Sequence, residues 1–221
     1  CSVKAGEWLF PEKIVHSDRF RVIHNAVDRG KFEYNVEKRK KIREEMGLTD
    51  QFVLGHVGNF CYQKNHYFLI EIFEEMHKRD KNTVLLLAGD GVRFEQVREM
   101  VIQKGLGDSV KLLGRRSDAD YLYQGMDAFI LPSNFEGLPI AGIEAQSSGL
   151  PCFMSDSITK EAKITRGCYF LSLHGKAADW AGEILKRKQD RKEAEYLENA
   201  GQYDLKNQIE EMRKLVNGEN A

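Results

Sequence analysis

Two glutamates, Glu136 and Glu144, stand with seven residues between them in the stretch 131–149, LPSNFEGLPIAGIEAQSSG. An apolar run, Ala128 to Leu131, stops at Pro132 and Ser133, and reads as a buried strand followed by a turn. Gly137, Leu138 and Pro139 then open a helix, with proline at the first helical position, where its missing N–H costs nothing, and Gly149 closes it. Glu136 therefore sits in the loop between strand and helix. Glu144 lies about five residues inside the helix, roughly 7 Å along its axis. The free N–H groups of the first helical turn fall between the two carboxylates, and such a turn binds phosphate. A carboxylate, an anion site and a second carboxylate in a line suit a sugar, a diphosphate and a ribose. The competing reading is a pair of solvated surface glutamates, a common fate of carboxylates.

Three further groups carry possible chemistry. Lys64 follows a strand-like run and can neutralise phosphate as a point charge, although most lysines are simply exposed. Gly89-Asp90-Gly91 is too short for the dinucleotide fingerprint and reads as a tight turn. Arg115 and Arg116 follow Gly114, where backbone groups can read a base edge; a solvated pair is the alternative.

These residues need elements to hold them. Strand-like runs occur at Phe52–Gly58, Thr83–Ala88, Val110–Leu113, Ala128–Leu131, Cys152–Met154 and Tyr169–Leu173, with a shorter one at Phe20–His24. Between them lie helical patterns: Val36–Met46, the stretch after Asn65 with Phe68, Leu69, Ile72, Phe73 and Met76, the stretch with Phe94, Val97, Met100 and Val101, and one from Ser117 to Met126. Asn65 and Ser117 are candidate helix caps. Ala177–Leu185, Lys192–Ala200 and Leu205–Val216 read as C-terminal helices, while Cys1–Pro11 makes no clear element. Regular alternation of strand and helix implies an α/β fold, a parallel sheet flanked by helices. In such sheets ligands bind beyond the carboxyl ends of the strands. The loops 58–64, 89–91, 114–116, 133–139 and 155–156 should therefore converge on one crevice.

Composition excludes several classes. The formal net charge of -1 gives no bulk-charge argument for a nucleic-acid or membrane-surface partner. No apolar run approaches a membrane span. Cys1, Cys61, Cys152 and Cys168 have no paired spacing and read as reduced, mostly buried thiols, and the six histidines form no metal-binding pattern. The first residue is Cys1, not methionine, with no signal peptide, so the expectation is a piece of a longer protein.

Taken in order, VGNFCYQKNHYFLIEIF, LLLAGDG, VKLLGRRSD and AFILPSNFEGLPIAGIEAQSSGLPCFMSD resemble the C-terminal domain of family 4 retaining glycosyltransferases of GT-B architecture, nearest to bacterial exopolysaccharide and capsule enzymes. The likeness runs from about Val22 to about Leu173, and the two-glutamate element in its FEGLP context is specific to this group and its near relatives. It implies a Rossmann-like half of a GT-B enzyme, whose acceptor-binding N-terminal domain is not in this chain. Residues 1–24 would be the join to that domain with a first strand, 25–186 the nucleotide-sugar-binding domain, and 187–221 charged helices that reach back to the N-terminal domain.

The resemblance implies that Glu144 binds the ribose hydroxyls, Glu136 contacts the donor hexose as the catalytic residue, and Lys64 binds the diphosphate. Gly137 and Leu138 N–H groups would meet the sugar or phosphate, with Pro139 beside them, and the backbone near Arg115 would meet the base. It implies a uridine diphosphate sugar as donor, a glycan or lipid-linked acceptor, and neither metal nor cofactor. The implied location is the cytoplasm, with any attachment to the inner membrane face made through the absent domain. One position departs from the pattern: the family's usual arginine after the glycine of the VG turn is Asn59 here, and the glycine expected in HNAVD is Ala26. Asn59 therefore favours an alternative, a non-catalytic nucleotide-sugar-binding module. Epimerases lack the FEGLP context, phosphorylases need a pyridoxal-binding lysine that has no counterpart here, and a receiver-like domain wants an acidic pair where Gly58-Asn59 stands.

Overall fold

A computed structural model of the chain describes residues 3–18, 20–188 and 193–217. Two short helices, α1 (Val3–Leu9) and α2 (Glu12–Val15), precede α3 (Arg29–Phe32) and α4 (Val36–Glu45). Strand and helix then alternate: β1 (Phe52–Val57), α5 (His66–Arg79), β2 (Thr83–Ala88), α6 (Phe94–Gln103), β3 (Val110–Gly114), α7 (Ala119–Gly125), β4 (Ala128–Leu131), α8 (Ile140–Ser147) and β5 (Cys152–Ser155). The described chain ends with β6 (Cys168–Leu171), α9 (Ala177–Lys186) and α10 (Leu205–Val216). The six strands form one parallel sheet in the order β3-β2-β1-β4-β5-β6. None of the described helices is long and apolar enough to cross a membrane.

The strands are apolar on both faces because both faces are covered. Val53, Leu86, Phe129 and Met154 point toward α3, α4, α7 and α8, whereas Leu54, Leu87, Ile130 and Phe153 point toward α5, α6 and α9. Each of these side chains is essentially fully buried. The strand order reverses between β1 and β4, so their two following loops part to opposite faces and leave a crevice at their carboxyl ends.

Six expectations are corrected. Phe20–His24 is not a strand: its backbone pairs with no strand, and Ile23 is exposed. Cys1–Pro11 does hold an element, α1, although its Trp8 and Leu9 are exposed. Asn65 precedes α5 in the left-handed conformation and does not cap it through its side chain, and α7 follows Asp118, not Ser117. Pro139 stands just outside α8, at the N-cap and not at the first helical position. The helix expected over Lys192–Ala200 is replaced by extended chain, with Tyr196 bridging Thr165, and a short 3₁₀ helix at Glu198–Tyr203; Lys192 itself lies outside the described residues. That segment is charged, but its backbone is taken up by the Ile164–Arg166 loop, where Leu197 N–H donates to Ile164 at 2.8 Å.

Candidate active site

The loops after the first three strands are tied to one another by backbone. Gly58 N–H donates to Ala88 O at 3.0 Å, Phe60 N–H to Asp90 O at 2.9 Å, and Gly89 N–H to Gly114 O at 2.8 Å. This close knit explains Gly89-Asp90-Gly91. Gly89 has φ +144° and a Cβ there would lie 2.0 Å from Gly58 O; Gly91 has φ +152° and a Cβ would lie 2.6 Å from Phe60 O. Only glycine fits such a backbone approach. The three loops line a crevice of about 660 Å³, with Gly58–Cys61 on one side, Gly89–Val92 on the second and Arg115–Arg116 on the third. That size suits a small ligand. Asn59 and Arg115 are exposed there, while Arg116 is held by Asp118 at 2.6 Å.

Across the switch point the β4 loop meets the β1 loop. Asn134 N–H donates to Gln63 O at 2.8 Å and its side chain donates to Tyr62 O at 2.8 Å. These contacts bring Glu136 onto Lys64. Lys64 Nζ lies 2.6 Å from Glu136 Oε1, which also accepts from Ser133 Oγ at 2.9 Å; Gln63 Nε2 donates to Oε2 at 2.9 Å. The pair is nearly buried, with side chains 15% and 7% exposed. The family resemblance implies separate roles, Lys64 on phosphate and Glu136 on sugar; here the two form one ion pair, because adjacent parallel strands set both down at the same end of the sheet. The Lys64 stem runs along Gly58, at the crevice wall, so the ammonium stands at its edge. An ammonium has three N–H donors, of which Glu136 takes one. Gln63 and Ser133 were missed. Their only signal was position, one residue before Lys64 and three before Glu136.

Leu138 is buried and Gly137 half-buried, and no side chain caps the first turn of α8. The first helical turn expected between the glutamates is thus present and uncapped by any side chain, one turn before Glu144. Glu144 is half-buried and accepts from Tyr123 Oη at 3.0 Å. Partial burial pushes its carboxyl above the usual range; the Tyr123 hydrogen bond and Lys31 oppose this, and Asp120 adds to it. On the other side of Glu136, Trp8, Phe135, Gly137 and Ser157 border a largely apolar hollow of about 480 Å³.

Beneath the β1 loop lie His56 and His66, both fully buried, with rings 4.8 Å apart. His56 Nδ1 meets Ile130 O at 2.9 Å, and His66 stacks on Phe60 at 4.0 Å. Burial lowers both pKa values. His56 falls well below its usual range, and His66, also beside Lys64 and Arg93, falls to about 4. Both rings are therefore neutral at neutral pH. The unfolded chain binds protons near pH 6.5 and the folded chain only near pH 4, so stability is complete above about pH 6.5 and drains away as pH falls toward 4. Urea denaturation is expected to find about 2 kcal/mol less stability at pH 5 than at pH 7 from His66. His66→Phe should flatten that slope, and an unchanged slope would contradict the assignment.

A family model for glycosyl transferases group 1 matches residues 38–204. EpsF of Bacillus subtilis (strain 168) is 34% identical over 188 residues, which are 84% of this chain and 49% of EpsF. The UDP-Gal:α-D-GlcNAc-diphosphoundecaprenol α-1,3-galactosyltransferase of Escherichia coli is 33% identical over 158 residues, 68% of this chain and 40% of that protein. This chain thus spans about half the length, or less, of the curated relatives it matches. HepE of Anabaena, solved in complex with UDP and glucose, matches with a TM-score of 0.77 at 20% identity, covering 92% of this chain and 58% of that one. At that identity the likeness is one of fold.

Proposed function

The chain belongs to the glycosyl transferases group 1 family, and we propose its function on that basis. It is the donor-binding half of an enzyme that moves a hexose from a nucleoside diphosphate sugar, a uridine diphosphate sugar, to a glycan or lipid-linked acceptor with retention of configuration. The setting is cell-surface polysaccharide synthesis at the cytoplasmic face. The observation that carries the reading is the Lys64–Glu136 pair at the switch point, beside a crevice of nucleotide size, with Glu144 one turn inside the helix that follows Glu136. In this reading the base lies against the backbone near Arg115, the ribose meets Glu144, and the diphosphate takes Lys64, Asn59 and the N–H groups of Gly137 and Leu138, next to Pro139.

The chemistry follows from charge. The anomeric C–O bond breaks, its electron pair leaves on the β-phosphate oxygen, and positive charge develops on the sugar ring. Lys64 and the α8 N-terminus stabilise the leaving diphosphate, a task that needs no metal. Glu136, aimed at the hexose, stabilises the oxocarbenium-like ring. The apolar hollow beside Glu136 is where an acceptor hydroxyl would approach, presented by the part of the protein outside this chain. The test is transfer of labelled hexose from its uridine diphosphate donor to a lipid or glycan extract by the longer protein. Activity lost in Glu136→Gln supports the reading; full activity in that variant contradicts it. This chain alone is expected to bind donor and transfer nothing, because the acceptor side is missing.

Asn59 favours a second reading, a binding module without turnover. An amide in the crevice donates a hydrogen bond but carries no charge, and a charged partner is worth about 1–3 kcal/mol more. Asn59→Arg is expected to tighten uridine diphosphate binding about tenfold. Unchanged affinity would contradict this account of position 59. Turnover by the longer protein would exclude the second reading.

A further inference from the structure

Tyr123 sits on α7 with its ring fully buried, packed against Phe32 at 5.9 Å and Phe129 at 5.8 Å. A phenylalanine would fill the same space. The hydroxyl is what needs a reason, since a buried polar atom must find a partner. It reaches α8, where it lies 3.0 Å from Glu144 Oε2 and 3.2 Å from the carbonyl of Ala141. A phenol has one proton, and the charged acceptor takes the stronger bond. Burial and the adjacent Glu144 carboxylate hold the phenol well above its usual pKa, so it remains a donor throughout the working pH range.

The consequence lies at Glu144. A glutamate on a half-exposed helix face samples several rotamers, and each lost rotamer has to be fixed when ligand binds. Here Oε2 is anchored from inside the core by a ring that cannot move. Among the described residues Oε1 takes no side-chain partner, and Lys31 of α3 and Asp120 of α7 are the other charged groups facing the carboxyl. With Oε2 anchored, the carboxylate is held in one orientation, and Oε1 together with the remaining lone pair of Oε2 is left to accept from a diol. Resting on the donor-site reading above, we propose that Tyr123 is a positioning residue, which anchors Glu144 so that the site selects a nucleoside diphosphate with ribose hydroxyls over one without them.

The test is a calorimetric cycle on this chain with uridine diphosphate and 2′,3′-dideoxyuridine diphosphate. The wild type is expected to prefer the ribonucleotide by at least about tenfold. Tyr123→Phe should weaken uridine diphosphate about five- to tenfold and leave the dideoxy analogue unchanged, so that discrimination collapses. In a Glu144→Ala background the same substitution should have no further effect on discrimination. A Tyr123→Phe variant that weakens both ligands equally, as a purely structural role would, or that keeps full discrimination, overturns the inference. A wild type that binds neither nucleotide overturns the donor-site reading itself.

Discussion

Asp127→Ala is expected to destabilise the chain by about 3 kcal/mol and to lower its thermal midpoint by roughly 10 °C. Asp127 stands at the amino end of β4, opposite the crevice. Its Oδ1 meets Arg39 at 2.5 Å, and its Oδ2 meets Arg43 at 3.1 Å and Val53 N–H at 2.8 Å. It thus joins α4, β1 and β4. Both arginines also donate to backbone carbonyls, Arg39 to Gln124 and Met126 and Arg43 to Gly125, Thr49 and Gln51. Removing the carboxylate therefore leaves two guanidiniums ordered in place with no counter-charge, and a strand N–H without an acceptor. Loss of one partner of a largely buried pair costs more than the pair's own net worth. Asp127→Asn, which can still accept from Val53, should lose about half as much. Thermal unfolding followed by circular dichroism reads both; a midpoint unchanged in Asp127→Ala would contradict the ion triad's role. Nucleotide affinity of the folded variant should hold, because the triad lies at the far end of the sheet.

Lys64→Ala is expected to weaken uridine diphosphate binding about 100-fold, whereas Glu136→Gln should leave it unchanged or slightly tighter. The two predictions separate a phosphate-binding lysine from a merely structural ion pair. If Lys64 exists only to hold Glu136, both variants break the same contact and should behave alike. If Lys64 meets the diphosphate, losing it removes a charge-assisted bond and a neutralising charge together, about 3 kcal/mol. Glu136→Gln frees the ammonium from its competitor and keeps the Gln63 and Ser133 contacts in reach. Equal losses in the two variants, measured by calorimetry, would contradict the phosphate role.

How much of this was legible in sequence depends on what kind of residue carried it. The strands were legible because a sheet covered on both faces demands apolar residues at every position, as TVLLLA and AFIL show. The crevice was legible in part: alternation of strand and helix puts the turns after the strands at one end of the sheet, and those at 58–61, 89–91 and 115–116 line it, whereas 133–139, expected in the same crevice, borders the separate hollow beside Glu136, and 155–156 lines neither. Phe20–His24 has the same local character as a short strand, but strand formation needs a neighbour, and local pattern says nothing of that. The pairing of Lys64 with Glu136 spans 72 positions and that of Tyr123 with Glu144 spans 21, and each depends on how adjacent elements are set down. A tyrosine whose ring belongs to the core hides its hydroxyl from any reading of periodicity. His56 and His66 were likewise invisible, since a neutral buried histidine and an exposed one look alike in sequence.

The measurement that tests the central claim most directly is calorimetric titration of this chain with uridine diphosphate, with guanosine diphosphate as control and Glu144→Ala in parallel. The account predicts micromolar binding that favours uridine and falls at least about tenfold in Glu144→Ala. Binding of neither nucleotide, or binding indifferent to both the base and Glu144, would contradict the assignment of this crevice as a nucleotide-sugar site.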